Sequence, residues 1–275
     1  MGHFEKPRHS FDAVRQAILA GEGFDGDDLR DDIERSVMSD AYKNGAVQEP
    51  IYGRNRVIAA ESLARPSDDT FGDYSIGELS QEFYARGLAE KFDTLTSSIG
   101  IKYARQFPAT LNISVESALS PKFWDGIEKR AEHFEPEHFI FEILEHDVDV
   151  NADISHLRAL KERGYRFALD DFAGTSEDKH RLAVFGDLVD YIKVDGPLVR
   201  AGLGDTEMAD HSVDEFVQVL ARLQTDYPDI ELIAERVRTA EEAQTLFDMG
   251  FTGVQGRQLK PQFFEYTPEA KALAL

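Results

Sequence analysis

The apolar and polar positions of the chain follow two alternating spacings. Short apolar runs typical of strands lie at residues 47–52, 57–63, 110–113, 139–144, 166–169, 191–194, 231–234 and 253–254. Between the later runs, apolar side chains recur at helical spacing, as in Ile154, Leu157 and Leu160. Strands that alternate with helices predict a parallel sheet, because each return crossover needs a dozen or more residues.

The beginning of the chain departs from this alternation. Residues 1–45 show helical spacing twice, first in Phe11, Val14 and Ile18 and again further on, and they predict two helices. The first two strands are separated by the polar segment 53–56, which predicts a hairpin and therefore an antiparallel pair. We predict an N-terminal helical segment over residues 1–45, packed on a barrel domain over residues 46–275.

The predicted fold class is α/β, a TIM-like (β/α)8 barrel with an antiparallel first strand. The length of 275 residues suits one such barrel, which typically takes about 250 residues. An open doubly wound sheet is the rival architecture, and it would carry a glycine-rich phosphate loop after an early strand. The sequence has no such loop, so we favour the closed barrel.

Composition narrows the functions open to the chain. It has 52 acidic and 30 basic residues and a net charge of −22, which argues against a nucleic-acid polymer as partner. It contains no cysteine, which excludes disulfides, zinc–thiolate sites and thiol catalysis. No run of about 18 apolar residues and no apolar leader occur, and these absences predict a cytoplasmic protein without a membrane segment.

Polar residues stand at the carboxyl end of nearly every predicted strand. They are Glu61, Asn112, Glu142, Asp170, Asp171, Asp195, Glu235 and Gln255. In a barrel these strand ends share the face where active sites lie, so the side chains are expected to converge. Each one taken singly is equally well explained as a cap of the following helix. Together, their oxygens favour Mg²⁺, Mn²⁺ or Ca²⁺ over softer metals.

Lys193 precedes Asp195 by two residues and therefore lies on the same face of its strand. Beside a metal site it would supply a fixed positive charge for phosphoryl chemistry. The alternative is a buried ion pair with Asp195 or Asp171.

These residues resemble, in this order, the EAL family of cyclic di-GMP phosphodiesterases. The motifs that carry the resemblance run from about Gln48 to Pro261. They are Glu61-Ser62-Leu63-Ala64-Arg65, Asn112-Ile113-Ser114, Glu142-Ile143-Leu144-Glu145, Asp170-Asp171-Phe172, Lys193-Val194-Asp195, Ala234-Glu235, Gln255-Gly256 and Pro261. The resemblance implies hydrolysis of cyclic di-GMP to linear pGpG, and it implies a barrel whose first strand is antiparallel.

The resemblance also implies a role for each matching residue. Two Mg²⁺ or Mn²⁺ ions, with inhibition by Ca²⁺, would be held by Glu61, Asn112, Glu142, Asp170 and Asp171. The catalytic residues would be Glu235, as ligand or general base, Lys193, which positions the attacking water, and Gln255, which assists. Substrate would be bound by Arg65, Gln48, Asp195 and Pro261, and Glu145 would stabilise the loop after the aspartate pair. The family further implies a homodimer.

The chain departs from the family pattern at several positions. The loop that usually reads Phe-Gly-x-Gly-x-Ser is here Phe172-Ala173-Gly174-Thr175-Ser176-Glu177-Asp178. The Gln-Pro of the family appears here as Gln48-Glu49-Pro50, with Glu49 between the two motif residues. Arg236, Arg238 and Arg257 stand where the family has other residue types. These arginines either offset the acidic field around an anionic ligand or are solvated surface charges. The departures keep open an alternative function, a catalytically degenerate domain that acts as a cyclic di-GMP receptor or a protein-interaction module.

Overall fold

The computed structural model describes residues 46–64, 76–101, 104, 107–144, 148–205 and 211–260. The two N-terminal helices predicted over residues 1–45 lie outside the described residues, so their packing on the barrel stays a prediction. Three of the predicted site residues lie outside them too. These are Arg65, Glu145 and Pro261.

Eight strands close into one barrel in sequence order. They are β1 Ala46–Gly53, β2 Val57–Ala64, β3 Ala109–Ile113, β4 Phe139–Ile143, β5 Arg166–Phe172, β6 Tyr191–Val194, β7 Glu231–Ala234 and β8 Gly253–Gln255. Strand β1 pairs antiparallel with both β2 and β8, and all other neighbours are parallel. The barrel and its antiparallel first strand are therefore confirmed.

Nine α-helices are described around the barrel. They are α1 Ile76–Ala85, α2 Ala89–Ile101, α3 Val115–Ala118, α4 Pro121–Ala131, α5 Ser155–Glu162, α6 Ser176–Phe185, α7 Gly196–Gly202, α8 Val213–Asp226 and α9 Ala240–Asp248. Helices α1 and α2 are separated by a turn at Gly87, whose φ is 65°. None of the described helices is long and apolar enough to cross a membrane.

Side-chain alternation along the strands builds the barrel interior in two layers. Because neighbouring side chains of a strand point to opposite faces, residues two apart share a face. Ile140, Ala168, Tyr191 and Ile233 belong to an apolar cluster inside the barrel. Two residues further along the chain from these four lie Glu142, Asp170 and Lys193, within their strands, and Glu235, directly after β7. The polar layer thus lies directly above the apolar layer, toward the carboxyl ends of the parallel strands.

The outer faces of the same strands pack against the helices. Phe141 and Phe167 are fully buried there around Trp124 of α4, with ring centroids 4.7 and 5.8 Å from the indole. The indole nitrogen of Trp124 donates to the Ala118 carbonyl at 2.8 Å, which satisfies its polar group. This aromatic packing fixes the strands that carry Glu142 and Asp170.

Candidate metal centre

Lys193 lies at the middle of the polar layer. Its Nζ is 2.8 Å from Asp170 Oδ1, 2.8 Å from Glu235 Oε1 and 2.9 Å from Glu142 Oε2. Glu61 Oε2 is 3.6 Å away. The ion-pair partners of Lys193 are thus four predicted site residues, each on a different strand or strand end. They are not Asp195 or Asp171, the partners that the alternative interpretation of Lys193 predicted.

Two amide side chains fix the orientation of Glu61. Asn112 Nδ2 donates to Glu61 Oε1 at 2.8 Å, and Gln255 Nε2 donates to the other carboxylate oxygen. Asn112 comes from β3, which pairs with β2, and Gln255 comes from the end of β8, which is separated from β2 by β1. The structure therefore brings both predicted residues to the carboxylate that opens the Glu-x-Leu-x-Arg motif.

A second cluster lies at the ends of β5 and β7. Asp170, Asp171 and Glu235 each offer a carboxylate oxygen, and these oxygens lie within 4.8 Å of one another. Asp171 has a φ of 47°, in the left-handed region that is uncommon for residues other than glycine. The pairing of β5 with β6 is irregular between Leu169 and Phe172, and this irregularity turns two consecutive aspartates toward one site.

The buried carboxylates have shifted pKa values. Burial raises the pKa of Glu142 well above its ordinary value, and Glu61 and Asp170 add to the rise against the effect of Lys193. Burial likewise raises the pKa of Asp170 to about 6 and that of Glu235 to about 7, although Lys193 opposes both shifts. For Glu61, burial is outweighed by Lys193 and by hydrogen bonds, and its pKa is lowered. One ammonium group is therefore too little to neutralise the cluster.

The donor set fits hard divalent cations. Asn112 Oδ1 and Gln255 Oε1 are buried and accept no hydrogen bond from any described residue. Buried oxygens without a donor are costly, and a cation would satisfy them while offsetting the excess of negative charge. Carboxylate and amide oxygens without sulfur are the ligands that Mg²⁺ and Mn²⁺ prefer. The cluster thus offers oxygens of the kind that such ions bind. The assignment of Glu61, Asn112, Glu142, Asp170 and Asp171 as ligands of two ions stays a prediction.

The loop after Asp171 is held by a residue that the sequence comparison did not single out. Asp178 Oδ2 accepts hydrogen bonds of 3.0 Å from the backbone N–H groups of Ala173 and Thr175 and from the Thr175 hydroxyl. Thr175 and Asp178 also form a capping box at the start of α6. The spacing Thr-x-x-Asp was the signal in the sequence that could have revealed this contact.

Arg181 connects this loop to the metal-ligand strand. It forms a buried ion pair with Asp178, and its Nη1 donates to the Asp170 carbonyl at 2.9 Å and to the Ile143 carbonyl at 3.3 Å. The Arg181 side chain is only 1% exposed. Asp178 and Arg181 therefore order the loop without the glycines and serine of the family pattern.

Asp93 supports the strand end that carries Asn112. Its Oδ2 accepts from the Ser114 backbone N–H at 2.8 Å and from the Ser114 hydroxyl at 2.7 Å, and Tyr84 donates to Oδ1. Burial raises the pKa of Asp93 despite these hydrogen bonds. The serine of the Asn-x-Ser motif is thus a supporting residue, and no spacing pattern in the sequence pointed to Asp93 as its partner.

Two predicted substrate-binding residues are not among the ion-pair partners of Lys193 in the described part of the chain. Asp195 is the N-cap residue of α7 and is half-buried. Gln48 is paired with Ser62, whereas Glu49 is paired with Glu61. Because directly paired residues share a face of the sheet, Glu49 lies on the Glu61 side and Gln48 on the other. The substrate-binding roles of Asp195 and Gln48 stay predictions.

Comparison with known proteins places this geometry in a family. PdeL of Escherichia coli (strain K12), a cyclic di-GMP phosphodiesterase, is 34% identical to this chain over 104 residues. That match covers 38% of this chain and 26% of PdeL, so it spans about a quarter of the relative's length.

Solved structures share the fold at low sequence identity. The phosphodiesterase PaMucR, in complex with c-di-GMP, has a TM-score of 0.61 and 20% identity, over 77% of this chain and 93% of its own. Klebsiella pneumoniae BlrP1, in a manganese/cy-diGMP complex, has a TM-score of 0.58 and 21% identity, over 78% of this chain and 54% of its own. A standalone EAL protein of Vibrio cholerae O395, in its c-di-GMP-bound form, has a TM-score of 0.60 and 19% identity, over 77% of this chain and 89% of its own.

The match to a family model covers most of the chain. Residues 42–262 match the model of the EAL domain, from just before β1 to beyond β8. This span contains all the residues of the polar layer. The chain therefore belongs to the EAL domain family.

Proposed function

We propose that this protein is a metal-dependent phosphodiesterase that hydrolyses cyclic di-GMP to linear pGpG. One observation carries the proposal: Glu61, Asn112, Glu142, Asp170, Asp171 and Glu235 are brought together around Lys193 at the strand ends. A cyclic di-GMP phosphodiesterase among the relatives and c-di-GMP complexes among the similar structures support the same substrate.

Two Mg²⁺ or Mn²⁺ ions would be held by the five predicted ligands. Such ions activate water as a nucleophile and stabilise the attacking and leaving oxygens of an in-line displacement. The manganese complex of BlrP1 supports this assignment. Inhibition by Ca²⁺ is part of the same proposal and rests on the family resemblance alone.

The chain's own side chains would orient the water and move its proton. The four surrounding carboxylates outweigh the effect of burial and raise the pKa of Lys193 well above its ordinary value, so it stays an ammonium group. It would donate to the attacking water and to charge developing on the phosphate. Glu235 would accept the proton of the water, since its raised pKa lets it hold a proton near neutrality. Gln255 would keep Glu61 in its orientation.

A receptor without turnover is the second candidate, and the altered loop after Asp171 motivates it. The structure weakens that motivation, because Asp178 and Arg181 give this loop hydrogen bonds of its own. A homodimer and a cytoplasmic location complete the proposal as expectations from the sequence. Sedimentation of the purified protein tests the dimer.

The test of the proposal combines turnover with binding. Purified protein is incubated with cyclic di-GMP and Mg²⁺ or Mn²⁺, and pGpG is separated by chromatography, with Glu61→Ala run in parallel. We expect pGpG from the wild type and none from the variant, which loses a predicted metal ligand. Tight binding of cyclic di-GMP without pGpG formation would favour the receptor. If the protein neither binds cyclic di-GMP nor forms pGpG, this substrate is excluded.

A further inference from the structure

Arg236, the residue after Glu235, has an unusual backbone conformation. Its φ is 53°, and among the described residues only Asp171 is also a non-glycine residue with positive φ. Residues with a side chain pay a conformational cost in this region, and such strain concentrates at functional sites. Asp171 is a predicted metal ligand at the end of β5. The second strained residue stands at the same face, at the end of β7.

The Arg236 side chain extends over the end of β6. A Cβ added to Gly196 would lie 2.2 Å from Arg236 Cδ and 2.7 Å from its Nε, so the arginine stem rests directly on this glycine. Gly196 is the first residue of α7 and follows Asp195. Any side chain at position 196 would displace the arginine. The fold therefore holds the Arg236 stem across the β6 end of the strand-end face.

Arg236 carries its charge without a short-range partner among the described residues. Arg238 pairs with Asp205 at 3.2 Å, Arg200 pairs with Asp205 and Glu242, and Arg257 lies 3.9 Å from Glu49. Arg236 is exposed, and within the described residues its guanidinium forms no hydrogen bond or ion pair. Three arginines depart from the family pattern. Within the described residues, Arg238 and Arg257 form ion pairs and Arg236 forms none.

The electrostatic surroundings explain what such a cation would bind. Burial raises the pKa of the neighbouring Asp195, and the positive charges of Arg236 and His211 oppose that rise. Beyond it lies the carboxylate cluster, whose negative charge repels an anionic substrate wherever ions do not neutralise it. The exposed Arg236 guanidinium, which forms no ion pair within the described part of the chain, has the charge and the planar donor geometry that suit a phosphate.

We propose that Arg236 binds a phosphate group of the dinucleotide at the rim of the site and is a determinant of substrate affinity. The proposal rests on the proposed function, because it takes a cyclic dinucleotide as the ligand. It also explains the strained backbone: glycine would fit the conformation at no cost but would carry no charge.

Two neutral substitutions test the proposal. Arg236→Gly removes both the charge and the strain, and Arg236→Asn removes the charge while keeping a residue that tolerates positive φ. Binding of cyclic di-GMP is measured by calorimetric titration, with Ca²⁺ present to prevent turnover. We expect Kd to rise about tenfold in both variants, as for the loss of one charge-assisted hydrogen bond. The Tm of both variants is expected to equal or exceed that of the wild type.

Arg238→Gln is the matched control, because it removes an arginine two residues away whose charge is already paired with Asp205. Its Kd is expected to stay within about twofold of the wild-type value. The inference would be overturned, without affecting the proposed function, if both Arg236 variants kept wild-type affinity. It would also be overturned if Arg238→Gln lost as much affinity as they do. A wild type that does not bind cyclic di-GMP would instead overturn the proposed function together with the inference.

Discussion

Replacing Glu235 with glutamine is expected to lower kcat for pGpG formation by about 10²- to 10⁴-fold, the usual contribution of a general base. The Glu235 carboxylate lies 2.8 Å from Lys193 Nζ and shares a cluster with Asp170 and Asp171. An amide has nearly the same shape, but it cannot take up the proton of the attacking water. Steady-state kinetics with cyclic di-GMP and Mn²⁺ measure the effect.

Glu231→Gln provides the control for this substitution. Glu231 begins the same strand, β7, at the end away from the carboxylate cluster. The same chemical change is therefore made on one strand at two places, and kcat of Glu231→Gln is expected to stay within about twofold of the wild type. Equal kcat values for the wild type and Glu235→Gln would remove Glu235 from the proposed mechanism.

Replacing Asp178 with asparagine is expected to lower the free energy of unfolding by about 3 to 5 kcal/mol, as for other broken buried ion pairs. The variant leaves the Arg181 guanidinium buried without its carboxylate partner. It also weakens three hydrogen bonds that hold the loop after Asp171. Urea unfolding followed by circular dichroism measures the loss.

Glu177→Gln is the matched control, since it neutralises the adjacent residue. Glu177 is exposed, and its carboxylate accepts a hydrogen bond from the neighbouring Ser176 hydroxyl. Its free energy of unfolding is expected to change by less than about 0.5 kcal/mol. If Asp178→Asn were as stable as this control, the loop would not depend on the buried pair.

The contribution of Asp178 is also expected to depend on pH. Burial would raise the pKa of Asp178, but the hydrogen bond and charge of Arg181 outweigh it and hold the pKa below its ordinary value. A carboxylate with a lowered pKa stabilises the fold fully above its ordinary pKa, and the contribution is lost as pH falls through the lowered value. The difference in unfolding free energy between the wild type and Asp178→Asn should therefore shrink on acidification.

The strand-end cluster was predictable because alternation and topology determine it. Short apolar runs gave all eight strands, and parallel strand ends must share one face of a barrel. The position of Lys193 two residues before Asp195 also placed it on the site face. The ion-pair partners of Lys193 were harder to predict from the sequence. Glu142, Asp170 and Glu235 are long-range contacts that no local pattern specifies.

Backbone irregularities and supporting contacts were harder to predict. The sequence ended the fifth strand at Leu169, whereas β5 continues to Phe172 through an irregular pairing that turns Asp171 into the site. Polar residues at a strand end look like a termination signal, and only tertiary pairing shows otherwise. The contact of Asp93 with Ser114 joins α2 to the end of β3, across 21 residues of sequence. Helical spacing does not distinguish this aspartate from a solvated one.

The most direct test of the account is the dependence of turnover on divalent ions within one reaction. Cyclic di-GMP and Mn²⁺ are added to the wild-type protein, a chelator follows, and excess Mn²⁺ is added last, while pGpG is measured throughout. The carboxylate cluster at the strand ends predicts that pGpG formation stops with the chelator and resumes with the metal. Formation of pGpG that continues unchanged in the chelator would contradict the account.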